Sequence, residues 1–143
     1  MLKKKQQKDF NKFLHKIEQK ENCFFTSEDR NIGKTFTVNE LAFTLQSLGY
    51  IVFILTPYKN MEYFAERFIS LNKEDYKKLR ENVVVIADEA RFEMMKDFLD
   101  YCKYKKIPIV GYVNFTSNKP KYQIDNLEEF KKEYEYLDFI YKN

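Results

Sequence analysis

Apolar residues fall along this chain in two patterns. Some form short unbroken runs: Cys23 to Phe25, Tyr50 to Leu55, Val83 to Ala87 and Ile107 to Val113. Runs of this kind read as strands buried on both faces of a parallel sheet. Others recur at steps of three and four, which is helical spacing. Phe10, Phe13, Leu14 and Ile17 predict a helix near residues 8–20, with frayed Lys and Gln residues ahead of it. Val38, Leu41, Ala42, Leu45 and Leu48 predict a second helix, closed by Gly49 as a C-cap. Met61, Phe64, Ala65 and Phe68 predict a third over Asn60 to Ser70. Asn72 followed by Asp75 resembles a capping box and predicts a short helix over 73–80. Phe92, Met95, Phe98, Leu99 and Cys102 predict a helix from Arg91 to Lys105. Leu127, Phe130, Tyr134, Leu137 and Tyr141 predict an amphipathic C-terminal helix that seals the sheet or docks a partner.

Strands that alternate with helices call for a parallel sheet with right-handed crossovers and helices on both faces. The expected fold class is therefore α/β, a three-layer αβα sandwich with a mostly parallel sheet of about four to five strands. One domain spans residues 1–143: an N-terminal helix (1–21), a core (22–117) and a C-terminal helix (118–143).

The chemistry concentrates at two strand ends. After Cys23-Phe24-Phe25 comes a polar stretch, then Gly33-Lys34-Thr35, then the second helix. Strand, loop, Gly-Lys-Thr, helix is the layout of a phosphate-binding loop. Loop amides and the helix N-terminus point at one spot, where the helix dipole favours an anion. Lys34 would reach the β- and γ-phosphates, and the Thr35 hydroxyl would ligate Mg²⁺. The full pattern places glycine five residues before the second glycine, and this chain has Glu28 there, beside Asp29. The second strand end is Asp88-Glu89, after Val83 to Ala87. A carboxylate there faces the crevice where ligands bind in open α/β sheets. Asp88 would serve the Mg²⁺ shell, and Glu89 would orient or deprotonate the nucleophile. Asn114, Thr116 and Ser117 lie past the end of the next strand. They read either as a group that senses the γ-phosphate or as a polar turn before Pro120.

Composition narrows the picture. Hydrophobic residues make up 44% and charged residues 33%, which suits a soluble globular domain. A net charge of +3 leaves nucleic-acid binding without support from charge. No apolar run is long enough for a membrane span. The basic start, Met1 to Lys5, is not followed by an apolar core, so a cytoplasmic protein is expected. Cys23 and Cys102 lack metal-site spacing and read as reduced core thiols. His15 reads as a surface residue.

Gly33-Lys34-Thr35 paired with Asp88-Glu89-Ala90 resembles the P-loop NTPase superfamily over residues 22–117. Within it the likeness is to small phage or prophage ATPase-like proteins whose loop lacks its first glycine. The resemblance implies binding of ATP and Mg²⁺, with hydrolysis that is slow or stimulated by a partner. It implies nucleotide contacts from Asn31, Ile32, Gly33, Lys34, Thr35 and Phe36, and metal contacts from Thr35 and Asp88. It implies catalytic roles for Lys34 and Glu89; for an ATPase of this kind Arg30 or Arg91 could supply an arginine finger, in cis or in trans. Ile32 to Thr35, Leu55-Thr56-Pro57 and Asp88-Glu89-Ala90-Arg91-Phe92 also resemble type II thymidine kinases. That likeness implies phosphoryl transfer to a nucleoside hydroxyl with Glu89 as base. The zinc-braced lasso of those enzymes has no cysteine set here. A third reading is a degenerate, non-catalytic module that docks a protein partner or a second copy, favoured by Glu28 and Asp29 beside the phosphate path.

Overall fold

The computed structural model describes residues 2–26, 34–56, 67–68, 79, 82–91, 95–114 and 138–141. In chain order these form α1 (Lys4–Glu18), β1 (Cys23–Thr26), α2 (Lys34–Ser47), β2 (Ile51–Leu55), β3 (Arg67–Phe68), β4 (Val83–Arg91), α3 (Lys96–Lys105), β5 (Ile109–Asn114) and β6 (Asp138–Tyr141). The strands make one sheet in the order β3-β2-β4-β5-β1-β6. Every neighbouring pair is parallel. The α/β class with a parallel sheet expected from the alternating runs is present, and among the described residues the sheet has six strands.

Alternation along the strands sorts the core into two halves. One sheet face presents Cys23, Phe25, Val52, Ile54, Val84, Ile86, Val110 and Tyr112. These pack with Val38, Leu41, Ala42 and Leu45 of α2 and with Phe13 and Ile17 of α1. The opposite face presents Phe24, Leu55, Val83, Val85, Ala87, Ile109 and Val113, packed with Met95, Phe98, Leu99 and Cys102 around α3. α2 therefore carries the chain from β1 to β2 over one face, and α3 carries it from β4 back to β5 under the other. β5 sits between β1 and β4. Gly111 makes that neighbour possible. Its φ is +139°, and a Cβ there would lie 2.8 Å from the backbone N of Ala87.

Several predicted elements differ from those observed. α1 starts at Lys4, a turn earlier than its apolar stripe predicts, because Gln6 Oε1 accepts the Lys3 backbone N–H at 2.9 Å and caps it. Within the helix predicted over Asn60 to Ser70, Arg67 and Phe68 pair with Phe53 and Ile54 of β2. The open edge of β2 overrides the helical spacing there, a short stretch being ambiguous by periodicity alone. The helix predicted from Arg91 begins instead at Lys96, since β4 continues through Arg91. The end of the predicted C-terminal helix is strand: Asp138 to Tyr141 pair with Cys23 to Thr26, where β1 offers its outer edge. Residues 115–137, 60–66 and 69–70 of the predicted third helix, and 73–78 and 80 of the predicted short helix lie outside the described residues.

Candidate functional site

The crossover geometry brings α2 to the carboxyl end of β4. Because β5 and β4 lie between β1 and β2, the helix leaving β1 passes over them on its way. α2 accordingly packs on both β2 and β4. Its first turn meets Asp88, which shares a face with Val84 and Ile86. The Thr35 hydroxyl donates to Asp88 Oδ2 at 3.0 Å. Asp88 is fully buried, its second oxygen Oδ1 included.

Glu89 reaches the same place by a different route. Consecutive residues of a regular strand point to opposite faces, so Glu89 would belong on the α3 side. The register with β5 slips between Asp88 and Ala90, which marks a β-bulge. Glu89 sits in that bulge with φ +58°, a left-handed conformation uncommon for a residue with a side chain. Past it, alternation is reset: Ala90 joins the α3 core, although plain alternation would give it the face of Asp88. The Glu89 carboxylate lies 2.6 Å from Lys34 Nζ. Their side chains are 13% and 4% exposed, so both charges are largely removed from water.

Four residues expected in the site thus converge: Lys34 with Glu89, and Thr35 with Asp88. Phe36 follows in the first turn of α2, but its ring is 43% exposed. Its contribution to an anion there would be its backbone N–H, one of the helix N-terminal donors that lack intrahelical partners. Asn31, Ile32 and Gly33, with Glu28, Asp29 and Arg30, lie outside the described residues, as do Thr116 and Ser117. Asn114 closes β5 between β1 and β4, in register with Arg91. Cys23 and Cys102 are not joined in a disulfide and are buried in opposite halves of the core. His15 lies on the exposed side of α1.

A buried polar line behind the site has no counterpart in the sequence reading. Tyr112, at the carboxyl end of β5, donates its hydroxyl proton to Asp9 Oδ2 of α1 at 2.7 Å. It also hydrogen-bonds Thr37 of α2, and the charge of Asp88 reaches it. Burial, then the Asp9 carboxylate, push the Tyr112 phenol well above its ordinary 10.0, while the Thr37 contact acts the other way. Asp9 itself is 3% exposed. One signal was available: Asp9 lies four residues before Phe13 and eight before Ile17, on the stripe that faces the core. A carboxylate at such a position requires a donor inside.

Chemically, the site joins a buried ammonium, a hydroxyl and two carboxylates at the start of a helix. Thr35 Oγ1 and Asp88 offer hard oxygen donors of the kind Mg²⁺ takes, and Mg²⁺ completes its shell with water and phosphate. Among the described residues, no group of three or more His, Cys, Asp and Glu side chains is placed to hold a metal ion by itself. No helix among the described residues is long and apolar enough to cross a membrane. No protein-family model matches the chain, and no curated protein matches it.

Proposed function

We propose that this chain binds Mg²⁺-ATP between the start of α2 and the carboxyl end of β4, and hydrolyses it slowly or when a partner assists. The observation that carries the reading is the convergence of Lys34, Thr35, Asp88 and Glu89 where the start of α2 meets the carboxyl end of β4. An ammonium at a helix N-terminus suits a phosphate by charge and by dipole. Lys34 binds the β- and γ-phosphates, assisted by the first N–H groups of α2. Thr35 and Asp88 would hold Mg²⁺, which would offset charge on the phosphates. Glu89 orients a water and accepts its proton. The water oxygen bonds to the γ-phosphorus, the bond from that phosphorus to the bridging oxygen breaks, and ADP departs with the electron pair. A protein of this kind works where ATP is abundant, which agrees with a cytoplasmic setting.

Calorimetric titration with Mg²⁺-ATP tests this, run beside Lys34→Ala with a thermal melt to establish that the variant is folded. Saturable binding in the parent that disappears in the folded variant is the expected result. A parent that binds nothing at about millimolar nucleotide, or a variant that hydrolyses ATP like the parent, overturns the reading.

A further inference from the structure

The Lys34–Glu89 pair occupies the atoms that the proposed function needs. Lys34 cannot give its full charge to a phosphate while a carboxylate lies 2.6 Å from its Nζ. Nor can Glu89 accept a proton from water while it holds an ammonium. We propose that this pair is a displaceable latch: in the resting protein the Glu89 carboxylate stands where an anionic phosphate oxygen binds, and phosphate entry releases it. The inference rests on the nucleotide reading of the site and adds how that site is regulated.

Two features of the chain argue for a latch over a simple structural tie. The first is backbone conformation. Glu89 holds φ +58° inside a bulge, a conformation disfavoured for a residue with a Cβ. Such outliers cluster at switch positions, where the surroundings hold the strain. The second is depth. A buried ion pair gains little over apolar packing, because both ions lose water. Its partners are therefore poorly explained by stability alone. An exchange of one anion for another avoids the costly intermediate, since Lys34 stays paired from the resting to the bound state. The released Glu89 remains at the carboxyl end of β4, beside Asp88 and the bound phosphate, where its role as base begins. The latch also selects its ligand. Only an anionic oxygen, such as one of a di- or triphosphate, can take the place of the carboxylate on Lys34; a neutral nucleoside cannot.

A competing internal carboxylate weakens apparent affinity by the fraction of molecules in which it is released. Removing it must therefore tighten binding. The test is titration with the Mg²⁺ complex of the β,γ-imido analogue of ATP, which resists hydrolysis, so that loss of turnover cannot pass for tighter binding. The parent is compared with Glu89→Gln, which removes the charge and keeps the shape, and with Glu89→Gly. Glycine accepts the left-handed backbone without strain, so it guards against misfolding of the first variant. Both variants are expected to bind about tenfold tighter or better, with a larger ligand-induced rise in Tm than the parent. Equal or weaker binding by both, with a parent that does bind, overturns the latch and leaves the nucleotide reading standing. No binding by the parent or either variant overturns the nucleotide reading and the latch with it.

Discussion

The two faces of the sheet are built from similar strands and do different work. Beneath the sheet, α3 packs on apolar side chains that include Phe24, Val85, Ala87, Ile109 and Val113. Above it, the core under α1 and α2 is threaded by Asp9, Tyr112, Thr37, Lys34, Thr35 and Asp88, all buried or partly buried. One face can satisfy its groups by packing alone. The other must pair each polar group it buries, since an unpaired one costs as much as several methylenes gain. The chemistry is thus confined to one layer, and the other holds the strands in place. Substitutions should separate the two layers cleanly.

The largest expected effect lies on the inert face. Leu99 is fully buried among apolar neighbours. Leu99→Ala should lose about 2–5 kcal/mol of stability through lost transfer energy and the cavity left behind. Urea denaturation measures this. The affinity for Mg²⁺-ATP, measured on the fraction that remains folded, should be unchanged. A variant that stays stable, or that loses affinity while folded, would break the division between layers.

That division was only half legible in the sequence. Strands β1, β2, β4 and β5 were readable because runs such as Ile51 to Leu55 are apolar enough to be buried on both faces, and such runs have few other homes. That Lys34 and Thr35 meet Asp88 and Glu89 was foreseeable because a phosphate-loop pattern and an acidic strand end both belong at the carboxyl edge of a parallel sheet, and the structure brings these side chains into contact. The bulge was not. Nothing in Ala87-Asp88-Glu89-Ala90 marks it, there being no glycine at the left-handed position, so the residue pattern ends the strand where the chain only shifts register. β3 and β6 were missed for a related reason. Phe68 and Tyr141 fit a helical stripe locally, and only the open edges of β2 and β1, which are distant in sequence, give them strand partners. Tyr112 looked like one more apolar strand residue, because the partner of its hydroxyl, Asp9, lies on another element.

A smaller effect is expected on the polar face. Tyr112→Phe keeps the ring, which packs edge-on against Phe13 at 5.4 Å, and removes the donor to Asp9. A hydrogen bond to a charged group carries about 1.5–3 kcal/mol, and the variant should lose stability in that range at neutral pH. Its pH dependence sharpens the comparison. The phenol is held above its ordinary 10.0 in the folded protein, so the folded state favours the neutral form. Stability from this group is fully present below that value and is lost as pH rises beyond it. Burial alone likewise raises the Cys102 thiol above 9.0 on the α3 face, with the same sign and an earlier onset. Melting curves from neutral pH to about pH 11 should therefore fall in the parent. Tyr112→Phe should fall less steeply above pH 10, while the part that begins near pH 9 persists. An unchanged slope would mean that Tyr112 ionises as readily folded as unfolded.

The smallest effect comes from a pair that copies the site's chemistry without its setting. Lys16 and Glu21 close the end of α1 with Nζ and Oε2 2.9 Å apart, the same two residue types as Lys34 and Glu89. Their side chains are 17% and 53% exposed, so water competes with each partner and salt screens the attraction. Exposed pairs of this kind contribute about 0.2–1 kcal/mol. Glu21→Gln should lower stability by no more than that, and raising the salt concentration should erase the difference. Mg²⁺-ATP binding should stay at the parent value. Distance therefore cannot be what distinguishes the two pairs, since they differ by only a few tenths of an ångström. The distinction is burial together with the left-handed turn at Glu89, the two features on which the proposed exchange for a phosphate rests and which the surface pair lacks.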